Sequence, residues 1–541
     1  MIDTQYDLSH LAGNGTARML QALREPRCYP HPVKPVGLIE THISWVLLTG
    51  DYAYKIKKPV NLGFLDFTRL DARLRYCEDE VRLNRRLAPK LYLGTVAITG
   101  TPEAPCVGGD GVAFEYAVKM RQFPQSALLD AALARGEVGI PVIEAFAHKL
   151  ARFHVALPPL PGIANHHADT VLAPALDSFR QMLPLLDTAA DIAQLKALRD
   201  WMLDEYQRRA HRFARRHARG SVRECHGDLH LGNIVLENGA ATPFDCIEFN
   251  AALRWIDVMS EAAFLFMDLE AHERRDLAYA FLNAYLEASG DYEGVAVLPF
   301  YRAYRALVRA KICLIRSAQA GLAPPRREHE LATCRRYLGL AARYTRERRG
   351  AVIITHGVSG SGKTTLTQPL PAALGAIRLR SDLERKRLHG LDALARTGSA
   401  PDAGIYTVHA TRLTYGRLAR HACTIAAAGF PAIVDAAFLK RRQRSVFRTL
   451  ARRLGVGFAI VDVRAPRERL SERVVTRAAA ARDASEATDR VLENQLATHD
   501  AIAAEEMRDS IAVDSTRDIP ASAAELSAKL RKALPEGGGR D

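Results

Sequence analysis

No Cys-x-x-Cys pair occurs among the eight cysteines of this 541-residue chain. Several of them, Cys225, Cys246, Cys313 and Cys423 included, sit in apolar or catalytic-looking stretches. That pattern reads as reduced core thiols and excludes a zinc-ribbon or disulfide scaffold. No apolar run approaches the roughly 20 residues that span a bilayer. The opening Met1-Ile-Asp-Thr-Gln-Tyr-Asp has neither the basic region nor the apolar core of a signal peptide. These absences predict a cytoplasmic chain with no membrane partner. Also missing are repeats at solenoid periods and the biased composition of a collagen-like, mucin-like or mainly disordered protein, since 48% of residues are hydrophobic and 25% charged.

What is present is length and positive charge. At about 100–200 residues per domain, the chain holds two to four domains. Lys and Arg number 75 against 61 Asp and Glu, a net charge of +14. Such a charge attracts nucleic acid, anionic lipid or phosphorylated substrates, but it is spread along the chain, as solvated Arg-rich helix faces would be.

Two rhythms divide the sequence near residue 347. A charged helical stretch ends at Gly350, and the strand-like Ala351-Val-Ile-Ile-Thr-His356 follows at once. From there, predicted strands at 351–356, 377–380, 431–436, 458–463 and 510–514 alternate with helices, the pattern of a parallel sheet covered on both faces. The first part is strand-rich to about residue 120 and then mostly helical, with amphipathic stretches at 140–157, 187–218, 260–288 and 298–345, which suggests two lobes with a cleft between them. The expected organisation is 1–347, 348–535 and a frayed tail 536–541.

Gly357-Val-Ser-Gly-Ser-Gly362-Lys363-Thr364-Thr365 matches G-x-x-x-x-G-K-[ST] between a predicted strand and a predicted helix. Gly357, Gly360 and Gly362, with Ser359 and Ser361 between them, let backbone N–H groups turn around a phosphate chain. Lys363 brings a point charge to the β/γ-phosphates, and the hydroxyl of Thr364, beside Thr365, can ligand Mg²⁺. Pro431-Ala-Ile-Val-Asp435 is an apolar strand ending in a carboxylate placed to hold the metal's water shell. Asp382, at the end of the second strand, can take the proton from an acceptor hydroxyl or cap a helix. Arg473 and Arg477 fall on one helical face, where they can offset charge on a transferring phosphoryl group or form surface ion pairs. This part resembles the small P-loop kinases, the group with gluconate kinase, chloramphenicol phosphotransferase, zeta toxin and the polynucleotide 5′-kinases. The resemblance implies an α/β P-loop NTPase fold with a five-stranded parallel sheet and an arginine-bearing lid.

The key segment of the first part is Glu224-Cys-His226-Gly-Asp228-Leu-His230-Leu-Gly-Asn233, followed by Pro243-Phe-Asp245-Cys-Ile-Glu248. Phosphoryl transfer from ATP explains the order of residue types. Asp228 would accept the hydroxyl proton, Asn233 and Asp245 would hold Mg²⁺ on the nucleotide, and His226 would brace the loop. The segment resembles the catalytic loop of the aminoglycoside phosphotransferase branch of the protein-kinase-like fold. Leu150-Ala-Arg-Phe-His154 and Phe281-Leu-Asn-Ala-Tyr285 resemble two of that branch's helices. The resemblance implies an N-terminal two-lobed, protein-kinase-like α+β fold, with a strand lysine paired to a helix glutamate. Lys55 and Lys57 point the same way on one alternating strand, so the pattern alone does not choose between them; we favour Lys55, with Glu80 rather than Glu78 as its partner. The loop Thr41–Ser44 would cover the phosphates. Glu248, Arg254 and Asp257 would form an ion-pair brace. Taken whole, the chain resembles a bacterial family that fuses an aminoglycoside phosphotransferase-like domain to a P-loop kinase/ATP-binding domain of the AAA_33 type.

The expectation is an ATP- and Mg²⁺-dependent phosphotransferase acting on hydroxyls of small molecules. One alternative is a front kinase regulated by a P-loop ATPase. Another is a nucleotide-dependent nucleic-acid-binding or end-processing protein. The latter lacks a recognition helix, stacking platform or zinc finger, so nucleic acid is the less favoured partner.

Overall fold

The computed structural model describes residues 15–534 apart from 42, 62–64, 161–170, 320, 347–349, 394, 399–402 and 481–487. The expected boundary at 347 and the tail 536–541 lie outside the described residues. The chain divides into two compact units. One is Met1–Val142, Leu157–Gly162 and Gly220–Glu261, and the other is Ile143–Ala156, Ile163–Arg219 and Ala262–Asp541. Among the described residues, no helix is long and apolar enough to cross a membrane.

The first unit is built on a six-stranded antiparallel sheet of order β1-β2-β3-β6-β4-β5. Its strands are β1 Gly37–Glu40, β2 Ser44–Leu48, β3 Tyr52–Lys57, β4 Tyr92–Thr101, β5 Ala104–Val107 and β6 Glu115–Arg121. Residues alternate across such a sheet. Leu47, Tyr54 and Ile56 pack with Trp45, Ile98 and Ala117 in one core. Ala53, Val118 and Met120 pack in another with Cys77 and Val81 of the helix Leu70–Arg85. The segment 220–261, which lies between two expected helices and carries the expected catalytic loop, folds into two short ribbons. These are β7 Val222–Glu224 with β10 Trp255–Asp257, and β8 Ile234–Glu237 with β9 Ala240–Pro243.

The second unit holds most of the helices and a parallel sheet of order β12-β13-β11-β14-β15. Its strands are β11 Ala351–His356, β12 Ile377–Arg380, β13 Pro431–Asp435, β14 Gly457–Arg464 and β15 Ser510–Asp514, within a residue of the sequence expectation. β11 and β13 are buried at every position, as central strands of a doubly covered sheet must be. Two expected helices are each divided. The run 260–288 becomes Val258–Ala271 and Arg275–Ser289, separated where Glu273 takes φ 61°. The run 298–345 becomes Leu298–Ser317 and Pro324–Arg346, with the proline at the start of the second helix, where its missing N–H costs nothing.

Helix Arg275–Ser289 runs along the edge strand β12. Asn283 donates from Nδ2 to the carbonyl of Ala376 (3.2 Å) and accepts the N–H of Arg378 at Oδ1 (2.7 Å). Glu287 pairs with Arg378 (3.1 Å), and the Tyr292 hydroxyl donates to the Arg378 carbonyl (3.4 Å). These bonds occupy backbone groups that an edge strand would otherwise leave open.

Candidate active sites

In the first unit, the side chains of β3 meet those of helix Leu70–Arg85 and the segment 226–248. Lys55 Nζ donates to Glu80 Oε1 at 2.8 Å and also bonds Asp245. Lys57 bonds the other oxygen of Glu80 and Glu248. Lys57 and Glu80 are fully buried. Burial opposes a charge on Glu80, but the two ammonium groups outweigh it and hold its carboxyl down to about 2. Glu248 goes the other way, because burial raises it more than Lys57 lowers it. Burial also opposes the charges on Lys55 and Lys57, yet the carboxylates around them raise both above the ordinary lysine value.

Asp245 follows β9 at φ 65°, a costly conformation for a residue with a side chain. It is fixed there by its N–H, which donates to the Tyr92 hydroxyl at 3.0 Å. The next N–H, of Cys246, donates to Asn84 Oδ1 at 2.9 Å, and Asn84 in turn donates to the carbonyl of Glu80. The lysine partner and the strained aspartate thus hang on one helix.

Asp228 and Asn233 are brought together directly: Asn233 Nδ2 donates to Asp228 Oδ2 at 2.9 Å and to its carbonyl at 3.0 Å. His230 Nε2 lies 3.4 Å from the same carboxylate. His226 is fully buried. Its Nδ1 accepts the Asp228 N–H (3.3 Å), so its Nε2 carries the proton and donates to the Phe244 carbonyl (2.8 Å). Burial lowers its pKa, in keeping with a neutral ring. Glu261 accepts the backbone N–H of His226 at 2.7 Å and of Gly227 at 3.3 Å. Gly227 has φ 91°, and a Cβ there would lie 2.8 Å from the Leu253 carbonyl, so the path of the loop requires glycine. Sequence reading missed Asn84, Tyr92 and Glu261, whose partners lie at distances in the chain that no local motif spans. It placed Glu248 and Arg254 in a brace, and Arg254 donates to the Glu248 carbonyl (2.9 Å) and to Glu224 (3.0 Å). Glu78 has no part in the lysine cluster. Of the Thr41–Ser44 loop, residue 42 lies outside the described residues.

In the second unit, the loop between β11 and the helix Lys363–Thr367 opens on a cavity of about 1010 Å³. Ser359, Gly360, Gly362, Lys363, Thr364 and Thr365 line it, together with Asp382, Asp435 and Arg473. Gly357 and Ser361 belong to the same loop but do not line the cavity. A Cβ on Gly357 would come within 2.7 Å of Ser361 Oγ, and one on Gly360, at φ 79°, within 2.5 Å of the Leu470 carbonyl. Lys363 Nζ donates to the carbonyls of Gly357 (2.9 Å) and Val358 (2.8 Å), and Gln495 accepts the Ser359 N–H (2.7 Å). Asp435 ends β13 at 5% exposure, and its Oδ2 has no hydrogen-bond partner among the described residues. An orphaned buried carboxylate oxygen on a cavity that Thr364 also lines fits a divalent cation. Arg473 is tied down, donating to Ser515 Oγ (2.9 Å) and to the Ser515 carbonyl (2.7 Å). Arg477 lies on the same helix, Arg467–Ala480, with its side chain outside the described residues. Asp382 is in the first turn of helix Ser381–Leu388, and Arg385, unremarked in the sequence, lines the cavity one turn further on. Burial pushes the hydroxyl of Tyr415, on the same wall, up to about 12, Asp382 adding to the shift and Arg385 opposing it.

The family model described as an AAA domain, AAA_33, matches residues 352–502. Among solved structures, a gluconokinase from Sinorhizobium meliloti 1021 is 23% identical, with a TM-score of 0.26, covering 34% of this chain and 95% of that one. The amicoumacin kinase hAmiN in complex with AMP-PNP, Ca²⁺ and Ami is 11% identical, with a TM-score of 0.38, covering 62% of this chain and 94% of that one. The uncharacterized protein Rv2004c of Mycobacterium tuberculosis is 32% identical over 469 residues, which are 85% of this chain and 90% of the relative. The chain, whose residues 352–502 match the AAA_33 model, therefore belongs to the family of that mycobacterial protein.

Proposed function

We propose that the protein is an ATP-dependent phosphotransferase with two nucleotide sites, a front domain of residues 1–347 and a P-loop domain of residues 348–535, each phosphorylating a hydroxyl of a small molecule. The observation that carries this reading is the front cluster, in which Lys55 joins Glu80 to Asp245 and Asn233 holds the Asp228 carboxylate. In it, Lys55 would meet the nucleotide phosphates and Asp228 would take the hydroxyl proton, its orientation set by Asn233. His226, neutral and bonded at both ring nitrogens, braces the loop and takes no proton. In the P-loop site, Lys363 and the loop amides would bind phosphate, Asp382 would take the proton, and Arg473 would offset charge. Mg²⁺ would be held by Asn233 and Asp245 in front and by Thr364 and Asp435 behind, and would screen the phosphate charges.

Labelled-phosphate transfer from γ-labelled ATP to fractionated cell metabolites tests the reading on full-length protein. Asp228→Asn and Lys363→Ala should each remove one set of labelled products, and the double variant should remove all of them. Losing a general base costs about 10²–10⁴ in rate. Transfer that survives in the double variant refutes the assignment. The second reading, a front kinase regulated by a P-loop ATPase, is favoured by one contact: Arg378, held by Glu287, donates to the Thr364 carbonyl (3.5 Å) of the phosphate loop. Under that reading, Lys363→Ala would change the rate of front-site transfer and remove no labelled product.

A further inference from the structure

Two helices of the second unit carry positive charge with no acid among it. Val408–Ala427 and Arg441–Leu454 pack side by side. Together they hold nine arginines and no Asp or Glu, in a sequence with 75 cationic and 61 acidic side chains overall. Acidic groups of other elements engage four of the nine. Arg417 pairs with Glu384 (2.6 Å), Arg444 with Glu506 (2.7 Å) and Arg448 with Asp509 (2.6 Å), and Arg441 bonds Glu505. The other five, Arg412, Arg420, Arg442, Arg452 and Arg453, are exposed and make no ion pair among the described residues.

Their placement makes a track that starts at the P-loop site. Arg412 and Arg442 line its cavity, and each stands one turn from an exposed valine, Val408 or Val446, that lines it too. At 1.5 Å per residue, Arg420 lies about 12 Å beyond Arg412, and Arg453 about 16 Å beyond Arg442. Between Arg412 and Arg420 in the same row stands Gly416, where a Cβ would touch nothing, so the row is open. Arginines clustered along a helix face are the electrostatic footprint of a nucleic-acid binder. A guanidinium fork pairs with phosphate through two hydrogen bonds and stacks on bases. A lipid surface fits less well. Leu418, Ile425 and Phe447 are turned inward and buried, and among the described residues Val408, Leu413 and Val446 are the large apolar side chains these helices expose, too few for a stripe that enters a bilayer. Tyr406 and Tyr415 line the cavity at the head of the track. Rings so placed can stack on the bases of a single strand, whereas a duplex keeps its bases paired. The stacking platform that the sequence does not display is thus assembled by the fold.

We propose that the paired helices Val408–Ala427 and Arg441–Leu454 bind single-stranded nucleic acid, its phosphates lying on the five exposed arginines. A stacked strand carries a phosphate about every 3.4 Å, so about five span the track. The inference goes beyond the phosphotransferase reading and does not need it, because binding to this face requires no chemistry at either site.

The test uses full-length protein saturated with AMP-PNP and Mg²⁺, so that the phosphate loop itself is filled. The probe is a fluorescein-labelled oligouridylate of about 12 nucleotides, within the span of single-strand sites, and the readout is anisotropy. The oligouridylate should bind, and the logarithm of its association constant should fall with that of salt concentration at a slope of about 3.5, roughly 0.7 for each phosphate. Arg420→Glu combined with Arg453→Glu, both outside the cavity, should weaken binding at least tenfold and make the slope shallower. Arg326→Glu combined with Arg336→Glu makes the same change of net charge on helix Pro324–Arg346 and should leave binding within twofold. Equal loss in the two double variants would reduce the effect to net charge and overturn the inference. No binding by the parent, or equal binding by parent and helix-face variant, overturns it as well. A duplex of the same length bound as tightly as the single strand overturns the choice of a single strand. Co-sedimentation with phosphatidylglycerol vesicles that Arg420→Glu with Arg453→Glu abolishes, without oligonucleotide binding, assigns the face to a membrane surface and overturns the inference. Phosphoryl transfer is no part of the readout, so each of these failures leaves that reading standing. Should the glutamate variant fail to fold, Arg420→Gln with Arg453→Gln is read by the same outcomes.

Discussion

Lys55 and Lys57 are adjacent inward-facing positions of one strand, and their surroundings separate them. Lys57 is sealed between Glu80 and Glu248 with no exposure, whereas Lys55 shares its charge with Asp245, whose side chain is 42% exposed. Lys57→Met strands a buried glutamate and should cost about 3–5 kcal/mol, read as a fall in Tm with the ATP affinity of the remaining folded protein little changed. Lys55→Met should instead weaken ATP binding at the front site at least tenfold, measured by calorimetry in a Lys363→Ala background. The reverse pattern would assign the nucleotide to Lys57. At the other site, Gly360→Ala puts a Cβ 2.5 Å from the Leu470 carbonyl at φ 79°. It should weaken nucleotide binding there at least tenfold while leaving the front site unaltered. At this scale the sequence was most legible. His226, Asp228, Asn233, Asp245 and the phosphate loop stand at spacings set by local backbone paths, and spacing is what a sequence displays. Glu261, Tyr92 and Arg385 carry no such mark, because their importance lies in what folding packs against them.

Elements were legible where periodicity was pure. Four of the five parallel strands are short, mainly apolar runs bounded by Gly, Pro or Asp, β12 instead alternating Ile and Leu with arginine, and all five emerge nearly residue for residue. Breaks inside long amphipathic runs were not, since the left-handed turn at Glu273 leaves the apolar stripe almost in phase. Nor were the ribbons of 222–257, too short for an alternation to show. One element yields a pH test. Helix Arg441–Leu454 is clamped by Arg444, wholly buried, to Glu506 through two bonds of 2.9 and 2.7 Å. Burial opposes the Glu506 charge, but Arg444 outweighs it and holds the carboxyl below its ordinary value of 4.5. A depressed carboxyl stabilises the fold above its unfolded value, and that stabilisation is lost as pH falls through the folded one. Glu506→Gln should therefore cost about 3 kcal/mol at pH 7. The gap in Tm from the parent should close as the pH drops below 4.5. A gap that persists unchanged at low pH would show that Glu506 acts by shape and not by charge.

Over the whole molecule, the sequence divides the chain by rhythm, but contacts group it differently: residues 220–261 join the strand-rich unit, and the later helices join the P-loop sheet. Rhythm is local, and compactness comes from pairings across hundreds of residues. Asn283 is the point where this can be measured. Asn283→Ala leaves the Arg378 N–H and the Ala376 carbonyl without their partner, at a cost of about 1–3 kcal/mol. Hydrogen exchange should quicken at the Arg378 amide more than elsewhere in the parallel sheet.

A gene cut at the codon for Gly350 would deliver a P-loop piece whose outermost strand has lost the helix that screens it. The margin of β12 would then be free to zip onto another copy. Laboratory dissection, or evolutionary shuffling of the rear segment as a ready-made cassette, would have to carry residues 275–296 along or tolerate a sticky product.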